Sequence, residues 1–533
     1  MSKRDTDYVM TIDAGTGSGR ALIFDTDANP IAAAAREWTL PTIADVPGSA
    51  VFDTDAAWTL ICECIQEALG RSGVAAAQIA AVSATSMREG MVLYDRHKRE
   101  IWACPNIDAR ARQEADELVA NGLAERIYDT GGDWLGITSP PRFRWIAKHL
   151  PDVFEQTAHM SMISDWVLFR LSGEIATDPS CGSSSGLFDL SSGDWAKTLI
   201  ADLGLPKEIF PPVVAPGTVL GKITRAAAET TGLAQGTPVV AGGGDTQLAL
   251  LGSGGVQAAH LAVVGGTFWQ TAWLSETPLI DPQRRVRTLC HVQPGIWMTE
   301  GIGFLNGLAM RWVRDTVCDW ASRQAQADGR DPYAEMESLS EQVPPGADGV
   351  FALVSDVMNA RCWVQAPTTF LGLNLTNPAH AGAEGKGLLV RAVQESAAFT
   401  ALAHYRILQS LSGQSAKQMV FCGGASKGKL WPQIMADVFD LPVKVPAVAE
   451  TTSLGAAFCT LVAVGRCSNL AEAAQALVRW DRTVEPNAEN VSRYKDISAQ
   501  ALDLQRGLIE WVEADRLQAM WRAAGATRSG ADR

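Results

Sequence analysis

Tyr8-Val-Met-Thr-Ile-Asp-Ala-Gly-Thr-Gly-Ser-Gly-Arg-Ala-Leu-Ile-Phe-Asp25 sets two apolar runs around a Gly-rich centre. Tyr8 to Ile12 and Ala21 to Asp25 read as strands, with Asp13 to Gly19 as the bend between them. Ile31 to Trp38, after the turn residues Thr26 to Pro30, reads as a third antiparallel strand. A helix follows, because Asp53 or Thr54 can cap it and Trp58, Ile61, Cys62, Ile65 and Leu69 fall on one helical face. Gln78 to Ser83 then reads as a buried strand. Strands first, then helix and strand in alternation, predict a mixed α/β sheet covered by helices.

The same pattern recurs later in the chain: His260 to Val264 is a strand, Gly265-Gly266-Thr267 a tight bend, and Phe268 to Leu274 a strand. Two halves that each open on a hairpin with Gly and Thr at the bend suggest an internal repeat. Between them Leu251-Gly-Ser-Gly-Gly-Val256 has the composition of a hinge and domain boundary. After about residue 466 the pattern is helical, over Ala471 to Trp480 and Ser498 to Ala523, and a disordered polar tail is expected over Thr527 to Arg533.

A chain of 533 residues, 47% apolar and 20% charged, is long enough for two to four packed domains and excludes disorder as its main theme. The net charge of −14, without a basic cluster, argues against a nucleic-acid partner. The opening MSKRDTDYVMTID places charges where a signal peptide needs apolar residues, and the longest uncharged run, Thr246 to Ser275, is broken by Gly, Gln and His260. No membrane span and a cytoplasmic location are therefore expected. The ten cysteines show no CxxC or Cys/His metal spacing and read as reduced core thiols.

Four motifs carry chemistry. Asp13-Ala-Gly-Thr-Gly-Ser-Gly-Arg20 follows a strand, and its glycines let backbone N–H groups approach an anion, a phosphate cradle. Arg20 stands where a dinucleotide motif requires Gly. Met419-Val-Phe-Cys-Gly-Gly-Ala-Ser-Lys-Gly-Lys-Leu430 has Gly423 and Gly428-Lys429 at P-loop spacing, but Leu430 replaces the Ser or Thr that would bind Mg²⁺. Backbone contact to a base or ribose suits these glycines as well as an ordinary strand-to-helix turn does. Val239-Val-Ala-Gly-Gly-Gly-Asp245-Thr-Gln247 sets a carboxylate at a strand end, as a general base or a helix cap. Ser86-Met-Arg88-Glu89-Gly90, followed by Trp102 and Asn106-Ile-Asp108-Ala-Arg110, combines both charges with an aromatic face, which suits a polyol; a surface ion pair beside a core Trp is the plainer alternative.

Together these segments resemble the FGGY carbohydrate kinases from Tyr8 to about Trp480. The resemblance is carried by Asp13-Ala-Gly-Thr16, Gly242-Gly-Gly-Asp245, Gly265-Gly-Thr267, Gly423-Gly-Ala-Ser-Lys427 with Trp431 and Ala436-Asp437, and Glu450-Thr-Thr-Ser-Leu-Gly-Ala456. Ala425 departs from it, standing where the family more often has a third Gly or another small residue.

The resemblance implies two ribonuclease-H-like domains of the actin and hexokinase type, with an active-site cleft between them. Residues 1–255 would bind sugar and phosphate and carry the base, 256–480 would bind the adenine nucleotide, and 481–533 would form a helical tail with a disordered end. ATP and Mg²⁺ would be required. Asp13 would organise Mg²⁺ through water, and Asp245 would take the proton of the attacking hydroxyl. Gly15, Thr16, Gly17, Ser18, Gly266 and Thr267 would meet the phosphates, and Gly423, Gly424 and Lys427 the adenosine. Arg88, Glu89, Trp102, Asp108 and Gln247 would hold the substrate. The flanks Ser86 to Gly90, Ile101 to Arg110, Met162 to Trp166 and Gly265 to Gln270 narrow that substrate to a linear dihydroxypentanedione, with xylulose, ribulose or glycerol as the alternative. The resemblance also suggests regulation by a phosphocarrier protein, for which no motif stands in the chain, and it leaves the oligomeric state open. An actin-like nucleotide switch and a metal or redox enzyme are the competing classes; the hydroxyl-binding residues argue against the first and the failed metal spacings against the second.

Overall fold

The computed structural model describes residues 8–528. The chain forms two compact units, each assembled from separate segments. The first comprises residues 1–258, 274–298 and 450–478, and the second comprises 259–273, 299–449 and 479–533.

The first unit opens with β1 (Tyr8–Ala14), β2 (Ser18–Asp25) and β3 (Pro30–Glu37), a fully antiparallel meander. The expected bend over 13–19 is only three residues wide, because β1 keeps pairing to Ala14 and β2 starts at Ser18. Helix α1 (Thr54–Ser72) is capped by Asp53, whose carboxylate accepts from the Asp55 and Ala56 N–H groups at 3.1 and 3.0 Å. It ends at Gly73, a left-handed stop at φ 66°. It buries Ile61, Cys64 and Ile65 against Met10, Ile12 and Ile23 of the sheet, a core that also takes in Trp166.

β4 (Ile79–Ser86) lies parallel to β1, and the strand Pro238–Gly244 lies parallel to β4 on its other side. The sheet runs 219–222, 238–244, β4, β1, β2, β3. Three neighbouring parallel strands thus end together at Ala14, Ser86 and Gly244, and open α/β sheets bind ligands outside such carboxyl ends.

The second unit repeats this beginning. Strands Leu261–Gly265 and Trp269–Ser275 pair antiparallel, and the first of them runs parallel to Met419–Cys422. Val443–Pro446 and Trp480–Val484 extend the sheet. Trp480 therefore begins an edge strand and does not end a helix, because the preceding helix stops at Leu477. The last long helix spans Ala488–Glu513, ten residues before the periodicity placed it. Asn487 fixes its start by accepting from the Glu489 and Asn490 N–H groups. Trp521–Arg522 form a short strand against Val364–Gln365. Of the expected tail, Thr527 donates its N–H to the Arg361 carbonyl at 2.9 Å and Arg528 pairs with Asp515; residues 529–533 lie outside the described residues.

The stretch read as a hinge begins as the last turn of the buried helix Asp245–Gly252. Leu251 is fully buried and Gly252 faces the Thr451 carbonyl, so only 253–256 has the loop character expected. All ten cysteines are free thiols. Among the described residues no helix is long and apolar enough to cross a membrane.

Candidate active site

The carboxyl ends of the three parallel strands bring Asp13, Arg88 and Asp245 into one neighbourhood of the first unit. Asp245 is the first residue of its helix. Its Oδ1 accepts the Thr246 N–H at 2.6 Å and lies 3.4 Å from Arg88 Nε. Asp13 is half-buried. Burial pushes its carboxyl up to about 7; Arg20 opposes the rise, and the carboxylates of Asp245 and Glu450 add to it. In the β1–β2 turn, Gly15 N–H donates to the Ser18 carbonyl at 3.0 Å. Thr16 is held from both sides, its hydroxyl by Asn106 Nδ2 at 3.0 Å and its carbonyl by Trp38 Nε1 at 3.1 Å. Gly17, at the tip of this turn, is exposed.

Glu89 has φ 62°, the left-handed region that costs a non-glycine residue about 1–3 kcal/mol. The Gly90 N–H closes on the Arg88 carbonyl at 2.8 Å, a three-residue turn centred on Glu89. The Glu89 carboxylate shares Arg287 Nη1 with Asp133, at 2.8 and 3.1 Å, and all three residues are buried. Burial pushes Asp133 up to about 6 against the pull of Arg287, and the Glu89 charge adds to the rise. Arg287→Met is expected to cost about 3–5 kcal/mol at pH 8, since two buried carboxylates lose their shared cation. The loss shrinks at pH 5, where protonation removes charge. Urea unfolding at both pH values reads it, and equal losses would assign Arg287 to packing.

Arg142 holds the turn in place. Its guanidinium donates to the Glu89 carbonyl and to the carbonyls of Pro105, Asn106 and Asp108 at 3.0–3.1 Å. Asp108 differs from the open substrate contact expected of it. It is 1% exposed, and its Oδ1 accepts from the Ala50 N–H at 2.8 Å and from Arg110 Nε at 2.7 Å. Arg110 in turn sits over Trp102, with 5.4 Å between guanidinium and ring centre, and over Trp145 at 5.1 Å. Gln247 is likewise fully buried, its amide donating to the Cys290 carbonyl at 3.4 Å.

A buried serine segment supports these loops. Ser180 Oγ accepts from the Gly244 N–H at 2.9 Å, one residue before Asp245, while donating to Asp178. Ser184 Oγ accepts from the Glu89 N–H at 3.3 Å, and Ser183 Oγ from the Cys290 N–H at 3.0 Å. Sequence reasoning missed Arg287, Asp133, Arg142 and these serines. The available signal was the run Asp178-Pro-Ser-Cys-Gly-Ser-Ser-Ser185, which reads as a solvated loop.

In the second unit, Gly266, Thr267, Gly424 and Lys427 line a cavity of about 590 Å³. Gly423 stands behind its wall at φ 85°, where a Cβ would come within 2.7 Å of the Gly265 carbonyl, so only glycine fits. Ala425 takes ordinary helical backbone in the Gly424–Lys427 turn, which answers the departure from a third Gly.

The model of the FGGY family of carbohydrate kinases matches twice, its N-terminal domain over residues 8–252 and its C-terminal domain over 261–464. The chain belongs to the FGGY family of carbohydrate kinases. It is therefore an ATP-dependent phosphotransferase with an alcohol as acceptor. Autoinducer-2 kinase of Salmonella typhimurium is 43% identical over 521 residues, 97% of this chain and 98% of the relative. Autoinducer-2 kinase of Yersinia pseudotuberculosis is 43% identical over 533 residues, 98% and 100% of the two chains. Among solved structures, xylulose kinase from Rhodospirillum rubrum superposes with a TM-score of 0.81 at 26% identity, over 95% of this chain and 99% of that one. The FGGY architecture of two α/β domains with mixed sheets is of the actin and hexokinase type.

Proposed function

We propose that this FGGY kinase transfers the γ-phosphoryl group of ATP to a terminal hydroxyl of linear dihydroxypentanedione, the autoinducer-2 signal, as part of quorum-sensing signal processing in the cytoplasm. The observation that carries this reading is the 43% identity to autoinducer-2 kinases over almost the whole of both chains. The first unit holds the acceptor and the base, and the second holds the nucleotide.

Asp245 accepts the hydroxyl proton as the acceptor oxygen forms its bond to the γ-phosphorus and the bond to the ADP oxygen breaks. Arg88 keeps that carboxylate oriented. Trp102 meets the acceptor, while Glu89, Asp108 and Gln247, all buried, act from behind by holding Arg287, Arg110 and the strand around Cys290. Gly15, Thr16, Gly17, Ser18, Gly266 and Thr267 serve the phosphates. Gly423, Gly424 and Lys427 serve the adenosine. The acidic surroundings of Asp13, whose proton is retained to about pH 7 by burial and two neighbouring carboxylates, fit a hard divalent cation. Mg²⁺ bound there supplies charge neutralisation for the phosphates. Regulation by a phosphocarrier protein belongs to the same reading.

The test is ATP consumption with Mg²⁺ across dihydroxypentanedione, xylulose, ribulose, glycerol and no acceptor. Strong turnover on dihydroxypentanedione alone is expected. Preference for a pentulose, which the xylulose kinase likeness would favour, retains the kinase and overturns the acceptor. ATP use that no acceptor stimulates would point to a nucleotide switch.

A further inference from the structure

The cavity of the second unit has a wall that neither the phosphate turn nor the glycine motif explains. Gln394, from the helix Gly382–Ser412, lines it and is 4% exposed. Its backbone carbonyl accepts from Trp431 Nε1 at 3.1 Å, which seats the helix against the indole at the cavity's edge. The side-chain Oε1 has no hydrogen-bond partner among the described residues. A buried acceptor left unpaired is unfavourable, and such a group in a cavity wall is satisfied by what enters the cavity. The neighbouring carboxylates are committed elsewhere: Glu337 accepts the Leu430 N–H at 2.6 Å, and Asp331 caps a helix through the Tyr333 N–H at 2.9 Å.

We propose that Gln394 reads the base of the nucleotide and selects adenine. This rests on the reading of the cavity as the nucleotide site. A carboxamide matches the N6/N7 edge of adenine with two bonds at once, its oxygen accepting from the exocyclic amino group while its NH₂ donates to N7. Guanine presents two acceptors along the same edge, so either orientation of the carboxamide leaves its oxygen facing another acceptor. Specificity then follows from the penalty of the unpaired buried oxygen more than from any added attraction.

The experiment measures binding of ATP and GTP to wild type and Gln394→Met by quenching of Trp269 and Trp431, which line the cavity. Steady-state kinetics run in parallel. Methionine keeps the length of the side chain and removes both hydrogen-bonding groups. The ATP-over-GTP ratio is expected to fall about 5- to 100-fold, through nucleotide affinity and with the acceptor KM unchanged. An unchanged ratio overturns the proposal. Gly424→Trp, whose added Cβ meets nothing within 4 Å, fills the same cavity. If it leaves ATP affinity intact, the assignment of the cavity itself fails; if it abolishes ATP binding while Gln394→Met keeps the wild-type ratio, only the role of Gln394 fails. Should Gln394→Met not fold, wild-type protein with purine ribonucleoside triphosphate, which lacks the amino group, decides. Binding about tenfold weaker than ATP supports the proposal, and equal binding overturns it.

Discussion

Asp245→Asn is expected to lower turnover by roughly 10²–10⁴ while the acceptor and ATP still bind. Asparagine keeps the oxygen that accepts the Thr246 N–H and keeps the side-chain volume, so the helix start at Asp245 survives. What it lacks is the negative charge beside Arg88 and the ability to take up a proton. The Asp245 side chain is 37% exposed while that of Arg88 is 5% exposed, so the variant is expected to lose some stability and still fold. Single-turnover kinetics with matched melting curves separate the two effects. Turnover within a factor of a few of wild type, in a folded variant, would remove Asp245 from proton transfer.

Asp13→Asn is expected to act in opposite directions on activity and stability. Activity should fall by about 10²–10³, because a cation and its phosphates lose their acidic anchor. Stability should rise at pH 8. The folded carboxyl keeps its proton to about pH 7, far above the ordinary carboxylate range, so between about pH 4 and 7 the native state binds more protons than the unfolded chain. Stability therefore falls as pH rises through that window, and above it the buried charge costs on the order of 1–3 kcal/mol. Asparagine removes that cost, so the two proteins should melt together near pH 4 and diverge at pH 8 with the variant higher. A variant that melts lower at pH 8 would mean that Arg20 already compensates the charge.

The parts of this site that were legible in the sequence are those where local pattern and chemistry coincide. The β1–β2 hairpin, the Asp53-capped helix, and Asp245 at a strand end each rest on residues a few positions apart. The unread parts are long-range: Arg287 lies 198 positions from Glu89, and Ser180 lies 64 from Gly244. No periodicity reports a buried arginine that stitches four carbonyls, nor a left-handed Glu89 whose side chain would ordinarily avoid that conformation. Asp108 misled for the same reason, since an acidic residue beside Asn106 and Arg110 reads as a ligand contact until its buried partners are known. At the C-terminal end, apolar spacing continues past Glu513 into a strand and hides the helix boundary that Asn487 sets as a cap.

The first unit closes only with residues 450–478, and this bears on how the protein is made. The helix Thr451–Ala463 packs on Asp245–Gly252 so closely that a Cβ at Gly455 would lie 2.0 Å from the Leu248 carbonyl. Synthesis must therefore pass residue 463 before the helix that carries Asp245 gains its cover. Until then Leu248 and its neighbours have no partner from that segment, and the nascent chain presents an apolar face that chaperones can hold. Substitutions that enlarge Gly455 or Gly252 should thus reduce yield during synthesis more than they reduce the activity of the molecules that mature.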